Sequence, residues 1–196
     1  MKYYFRGNFF VNTPDILPEY LQKGGSPAFK IRLVLASTLS SSYGIYSGFE
    51  LCEALAKPNT EEYANSEKYQ IKLRDWDQPG NIKDFIAKIN GIRRENPALQ
   101  EYKNLEFYET FNEPMLCYGK RTADNANMIV IVVNLDPFAT HEDTIRLPLS
   151  KFGIQEGQSY QMHDLLTGAV YVWKGPSNYV RLDPQVNPAH IFLVKL

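Results

Sequence analysis

Residues 81–99, NIKDFIAKINGIRRENPAL, divide this 196-residue chain into two stretches with different hydrophobic patterns. Ile82, Phe85, Ile86, Ile89 and Ile92 recur at the i, i+3, i+4, i+7, i+10 spacing of one helical face. Lys83, Lys88, Arg93 and Arg94 lie off that stripe and are expected to face water. Asn81, after Pro79-Gly80, is the expected N-cap. Asn96-Pro97 ends the helix, because proline disfavours α geometry in the residue before it. Before this helix the chain reads as strand, helix, strand and long loops; after it, as short β-strands only. The two sides need separate explanations.

In the first stretch, residues 9–11 form a short apolar run that stops at Asn12-Thr13-Pro14-Asp15, the pattern of a buried strand closed by a proline turn. Residues 27–40 predict a helix with proline at its first position. Residues 43–46 predict a second strand, and a polar loop follows over 56–80. Strand, helix, strand, helix is the alternation of a parallel sheet with helical crossovers, in which ligands gather at the C-terminal strand ends. Asp15 and Glu50 sit at those two places. A closed eight-fold barrel needs about 200–250 residues. At about 30 residues per βα unit, residues 1–80 hold roughly two units. The expectation is the end of a barrel.

After residue 99 the strands are short and regularly spaced: 105–108, 115–120, 128–135, 144–149, 159–164, 170–173, 178–182 and 189–196. MIVIVVNL at 128–135 is the strongest buried run, and residues 124–127 carry hairpin turn chemistry. The pattern predicts an antiparallel sandwich. The fold class expected is therefore an α+β two-part chain: a C-terminal remnant of a (β/α)8 TIM barrel over residues 1–99, incomplete, then an all-β sandwich over 100–196. Strands of a closed barrel are covered on both edges, so residues 1–80 alone are expected to be partly disordered, repacked, or paired with another copy in a homodimer.

Composition mostly excludes. A net charge of -1 gives no reason to expect nucleic acid as a partner, and no run approaches the ~20 apolar residues of a membrane span. The N-terminus has no continuous apolar stretch of the signal-peptide kind. Cys52 and Cys117 read as two free thiols in a reducing compartment in preference to a bridge, so a cytoplasmic chain is expected. His141, His163 and His190 show no metal-ligand spacing, and nothing implies a cofactor. Thirteen tyrosines suit both β-structure and sugar stacking. Trp76 and Trp173 read as sugar platforms or as core residues, with core the safer reading.

Six segments together carry a resemblance: residues 10–16, 42–51, 66–69, 74–77, 173–184 and 188–192. They resemble the α-1,4-glucan:maltose-1-phosphate maltosyltransferases, a branch of the α-amylase superfamily, in their C-terminal part. The resemblance implies a retaining mechanism, with one carboxylate as nucleophile and another as acid and base. Both belong to earlier barrel strands that this sequence does not contain. A third aspartate, which stabilises the transition state, matches Asp15. Most superfamily members have Asn-His-Asp there, whereas this chain has Asn12-Thr13-Pro14-Asp15, which favours the maltosyltransferase branch.

Lys68 and Tyr69 match positions near the maltosyl donor. Asn12, Glu50, Arg74 and Asp77 match loops on the same face. The implied partners are the α-glucan or maltosyl donor and the missing N-terminal half of the barrel. On residues alone Asp15 also reads as a turn aspartate, Lys68 and Tyr69 as a solvated pair, and Glu50 as a carboxylate satisfied by backbone. The chain alone is expected to be inactive. The alternatives are a structural or carbohydrate-binding β-module and the tail of an α-glucan hydrolase.

Overall fold

Two very short strands open the chain. β1 (Phe9–Phe10) and β2 (Tyr43–Gly44) pair in parallel, Phe9 opposite Tyr43 and Phe10 opposite Gly44. A parallel pair needs a crossover, and α1 (Glu19–Lys23) and α2 (Gly25–Leu39) supply it. α1 was not legible in the pattern. The two helices meet at Gly24-Gly25, where Gly25 has φ +58°, a conformation open to glycine, and a Cβ on Gly24 would lie 2.5 Å from that of Ala28. The computed structural model describes residues 4–67 and 71–196.

The expectation of a buried first strand needs correction. Val11 is fully buried, but Phe9 and Phe10 are 39% and 47% exposed. Among the described residues β1 has β2 as its one strand partner, so no described strand pairs with its other edge.

α3 (Lys83–Glu95) is the dividing helix, with Ile86, Ile89 and Ile92 buried and Phe85 packed against the same core. Its first turn starts one residue later than expected. Ile82 takes the N-cap position, and Asn81 Oδ1 accepts the Lys83 N–H from one residue further back. Asn96 leaves helical geometry at φ -118°, ψ 97°, as a residue before proline should, and Pro97 then opens a further short helix, α4 (Pro97–Gln100). Arg93 donates to the carbonyls of Ser37, Ser40 and Ser41 at the end of α2 and lies 5.0 Å from the Tyr43 ring centroid. One side chain thus satisfies orphan helix carbonyls and fixes the approach to β2.

The remainder is antiparallel. β3 (Glu106–Tyr108), β4 (Met115–Arg121), β5 (Met128–Asn134), β10 (Ala189–Lys195), β7 (Ser159–Asp164) and β8 (Val170–Lys174) form one sheet in that order. β6 (His141–Arg146) and β9 (Ser177–Leu182) form a separate two-stranded ribbon. β5 explains the arrangement. Ile129, Ile131 and Val133 face a core shared with α2 and α3, which includes Phe29, Ile89 and Tyr118. Met128, Val130 and Val132 face a second core built with Ile145, Val180 and Leu182 of the ribbon and with Trp173 and Phe192. A strand covered on both faces reads as a continuous apolar run, and MIVIVVN is that run. The chain is mostly β-sheet with few helices. Trp173 is a core residue, as expected, whereas Trp76 is 42% exposed and lies beside Arg74. Cys52 and Cys117 are free. Among the described residues no helix is long and apolar enough to cross a membrane.

Lys120 is out of keeping with this core. It is 1% exposed, and its Nζ donates to the Leu99 carbonyl at 3.4 Å. Burial, reinforced by the charge of Arg93, pushes its pKa down from 10.5 to about 8. Between pH 8 and 10.5 the unfolded chain therefore holds more protons at this site than the folded one, so this lysine's contribution to stability rises with pH in that window. Cys117 acts in the opposite sense above its ordinary value of 9, because burial holds its proton on in the folded state. Comparing variants cancels that opposing effect. Lys120→Met is expected to raise stability at pH 7 by roughly 2 kcal/mol, since it keeps the stem and removes the buried charge. The gain should shrink as pH rises from 8 to 10, measured by urea unfolding at each pH. A gain independent of pH would remove the buried charge as its cause.

Candidate functional site

Of the residues singled out by sequence, Asn12 and Asp15 follow β1, and Glu50 follows β2. The strands are held together by the Val11 N–H donating to the Gly44 carbonyl at 3.1 Å, and the chain leaves β1 directly into Asn12. Asn12 is 2% exposed. Its Oδ1 accepts the Tyr46 N–H at 3.2 Å and its Nδ2 donates to the Tyr63 hydroxyl. The side chain therefore locks the segment after β1 to the segment after β2 and to a loop 51 residues away. Burial raises the Tyr63 hydroxyl to about 12, so this oxygen keeps its proton at any ordinary pH.

Three residues on, residues 13–16 close a tight turn in which the Thr13 and Ile16 backbones bond each other at 3.2 and 3.3 Å and Thr13 Oγ1 accepts the Ile16 N–H at 3.0 Å. The turn presents Asp15 at the surface. The loop of residues 56–80 approaches the same place: the Ser66 hydroxyl donates to the Pro14 carbonyl at 3.4 Å, and the Glu67 N–H donates to the Tyr46 hydroxyl at 3.0 Å. Lys68 and Tyr69 lie outside the described residues. The two residues before them are held against Pro14 and Tyr46, beside Asp15.

The hub of this region is Arg74. Its neighbours Leu73 and Ile71 are 94% and 93% exposed, yet its own side chain is 3% exposed. Nε and Nη2 grip both carboxylate oxygens of Glu53 at 2.9 and 3.3 Å, Nη2 also donates to the Ser47 carbonyl at 3.2 Å, and Nη1 reaches Glu67 at 2.8 Å. Lys72 adds a second cation 2.8 Å from Glu53. Burial pushes the Glu53 carboxyl up, but the hydrogen bonds and charges of Arg74 and Lys72 outweigh it and leave the group below its usual range. Burial likewise favours loss of the Arg74 proton, and the two carboxylates overcome it. Four of the five guanidinium N–H groups are thereby committed to protein, so Arg74 acts here as an organiser of loops.

Gly48 makes the grip possible. It has φ +97°, and a Cβ there would lie 2.3 Å from Glu53 Oε2. Gly48→Ala is expected to lower stability by about 2 kcal/mol through left-handed strain and displacement of Glu53. Chemical denaturation would measure this, and a change below 0.5 kcal/mol, on the order of an inert surface substitution, would contradict it.

Glu50 lies on a single 3-10 turn, Phe49–Leu51, and its Oε2 accepts the Gly48 N–H at 3.0 Å. Its carboxylate is thus engaged by backbone. Asp77, with its side chain 93% exposed, pairs with Lys83 at 2.8 Å, a contact of small energetic weight. The structure therefore brings Asn12, Asp15 and the loop before Lys68 together, and turns Glu50 back on its own loop. Sequence reasoning missed Tyr46, Tyr63, Glu53 and Glu67 as the parts that hold the site. Of these, Glu53 and Tyr63 carry no local signal, since their partners are 21 and 51 residues away. Among the described residues no group of three His, Cys, Asp or Glu side chains could hold a metal ion.

The fold is that of an α-amylase-like chain. A crystal structure of an Anoxybacillus α-amylase is similar over 95% of this chain and 37% of its own, with a TM-score of 0.67 at 16% identity, a likeness of fold alone. Sequence is more specific. The family described as GLGE, C-terminal, matches residues 107–194. The α-1,4-glucan:maltose-1-phosphate maltosyltransferase of Rhodospirillum rubrum is 54% identical over 97% of this chain, and that of Myxococcus xanthus 47% identical over 97%. The chain belongs to this maltosyltransferase family and corresponds to a C-terminal part of its members. It spans 28% of the Rhodospirillum protein and 29% of the Myxococcus one.

Proposed function

We propose that the chain is the C-terminal portion of an enzyme that transfers maltosyl units from maltose 1-phosphate to an α-1,4-glucan with retention of configuration. In this reading residues 1–99 are the last βα units of a TIM barrel and residues 100–196 the all-β domain that backs them. The observation that carries the proposal is the 54% identity to a maltosyltransferase, which extends through the β1–β2 segment and its loops. The parallel pairing of β1 with β2 across a helical crossover, with Asn12 and Asp15 beyond the strand ends, supports it further.

Asp15 would hydrogen-bond hydroxyls of the reacting sugar as its ring flattens toward the oxocarbenium ion, so that the bonds strengthen on the way to the transition state. Lys68, Tyr69 and the loop anchored by Arg74 would line the maltosyl donor. Asn12 would hold the Asp15 turn in place, and Glu50 would fix the bend after β2. The nucleophile and the acid/base would come from barrel strands outside residues 1–196, so the chain alone is expected to release no phosphate from maltose 1-phosphate. The test is a chimera in which residues 1–196 replace the matching segment of the Rhodospirillum relative. Phosphate release in the presence of maltohexaose is expected from the chimera and not from the isolated chain. A folded chimera without transfer would overturn the proposal.

A further inference from the structure

The six-stranded sheet ends in two unlike edges. At one end β3 is only three residues long, Glu106 is paired with Lys151, and the edge runs on into a bridge between Glu109 and Arg146 of β6. Shortness, charge and a covering contact are the devices that keep a sheet edge from pairing with another chain.

β8 ends the other side, and among the described residues it pairs with β7 alone. It has none of those devices. Residues 169–173, Ala-Val-Tyr-Val-Trp, carry no charge and no proline, and the register to β7 runs without a bulge from Ser159–Lys174 to His163–Val170. Val170, Tyr171 and Val172 are 52%, 41% and 70% exposed. Successive residues point to opposite faces, so over these three positions β8 is bare on both faces as well as along its edge.

The ladder shows which backbone groups point outward. The Asp164 N–H donates to the Ala169 carbonyl at 2.8 Å. Antiparallel bonding alternates residue by residue, so Tyr171 and Trp173 turn their N–H and C=O groups to β7. Val170 and Val172 turn theirs to the open edge.

We propose that β8 pairs antiparallel with β8 of a second copy of this chain, about a two-fold axis at Tyr171, and joins the two sheets edge to edge. The edge itself selects this occupant. Val170-Tyr171-Val172 reads the same in either direction, so an antiparallel copy sets Val170 opposite Val172 and Tyr171 opposite its own counterpart. Each of the two Val170–Val172 pairs exchanges both of its backbone hydrogen bonds. Cross-strand pairs of β-branched and aromatic residues are favourable, and no charge faces a like charge. The same patch serves both copies, so the assembly closes at two. A net charge of -1 sets little repulsion against it. Three residues bury less than the roughly 800 Å² per partner of a standard interface, so the dimer is expected only at concentrations on the order of 100 μM. The pairing involves neither the loops beyond β1 and β2 nor a sugar, and it stands or falls apart from the transferase reading.

Sedimentation velocity of the 196-residue chain at about 5 μM and about 300 μM tests the pairing. The chain is expected to sediment as a monomer at the lower concentration and mostly as a dimer at the higher. Val172→Lys puts a charge on an exposed position of the edge and should hold the chain monomeric at both. The double variant Val170→Glu/Val172→Lys sets the introduced carboxylate of each copy opposite the introduced ammonium of the other, and should restore the dimer. Circular dichroism would check that each variant is folded.

A parent chain that stays monomeric at the higher concentration would overturn the proposal. Association retained by folded Val172→Lys would do the same, by placing the contact on another surface such as the other edge of β1. A folded double variant that stays monomeric would rule out the two-fold register at Tyr171, and the proposal with it.

Discussion

In the chimera, Asp15→Asn is expected to lower kcat for maltosyl transfer by about 10³-fold, close to 4 kcal/mol of transition-state stabilisation, while KM for maltose 1-phosphate changes less than threefold. The asymmetry follows from where the residue sits. Asp15 projects from a turn closed by Thr13 and Ile16, itself fixed to the strand ends through buried Asn12. A carboxylate on a rigid turn can be aimed at hydroxyls whose acidity increases as positive charge develops on the sugar ring. Asparagine keeps the shape and an acceptor but loses the charge, so ground-state contacts survive and the transition-state gain is lost.

A melting curve of the Asp15→Asn chimera separates a chemical effect from an unfolding one. Single-turnover phosphate release provides the rate. A fall of less than tenfold would make Asp15 a turn residue only. Asn12→Ala should differ in kind. It opens the contacts to Tyr46 and Tyr63, so both stability and kcat should fall.

How much of this was legible depends on the range over which each residue acts. The stripe Ile82, Ile86, Ile89, Ile92 predicts α3 because each residue's neighbour on the face is three or four positions away, and the Asn96-Pro97 pair predicts its end for a purely local reason. Residues 128–134 read as a doubly covered strand because burial on both faces leaves no polar position in the run. The exposure of Phe9 and Phe10 was not legible in the run itself, and was expected only because residues 1–80 hold too few βα units to cover a barrel strand. Hydrophobicity records what a strand is suited to pack against, not whether the packing partner is among the described residues. The inward turn of Arg74 was equally hidden, because its partner Glu53 precedes it by 21 residues in an irregular loop. The candidate site residues Asn12 and Asp15 come from the resemblance carried by the pattern around them. What holds them in place, Tyr46, Tyr63 and the Arg74 cluster, emerges only from tertiary contacts.

The second large effect concerns the sheet and not the site. Asp164→Ala is expected to destabilise the chain by about 4 kcal/mol. Asp164 is 1% exposed at the end of β7, where a charge is tolerated only if its oxygens are fully engaged. They are. Oδ2 accepts from His190 Nδ1 at 2.9 Å and the Thr167 hydroxyl at 2.5 Å, and Oδ1 accepts the N–H groups of Leu166 at 3.1 Å and Ile191 at 3.4 Å. One carboxylate thereby ties the β7–β8 turn to β10. Burial pushes its pKa up, but His190, Thr167 and the Leu166 N–H outweigh that and leave it below the ordinary carboxylate value.

The sign of the pH effect follows from that direction. The stabilisation is complete above the unfolded carboxylate's pKa of about 3.9 and is lost as pH falls through the depressed folded value. Urea unfolding at pH 7 should show the full loss in Asp164→Ala. The difference from the parent chain should narrow only below about pH 4, the unfolded carboxylate range. Asp164→Asn should recover part of the loss, because its amide oxygen still serves the turn while its NH₂ faces donors. A loss under 1 kcal/mol, well below the range for a broken buried pair, would mean that the turn and β10 are held by their backbone bonds alone.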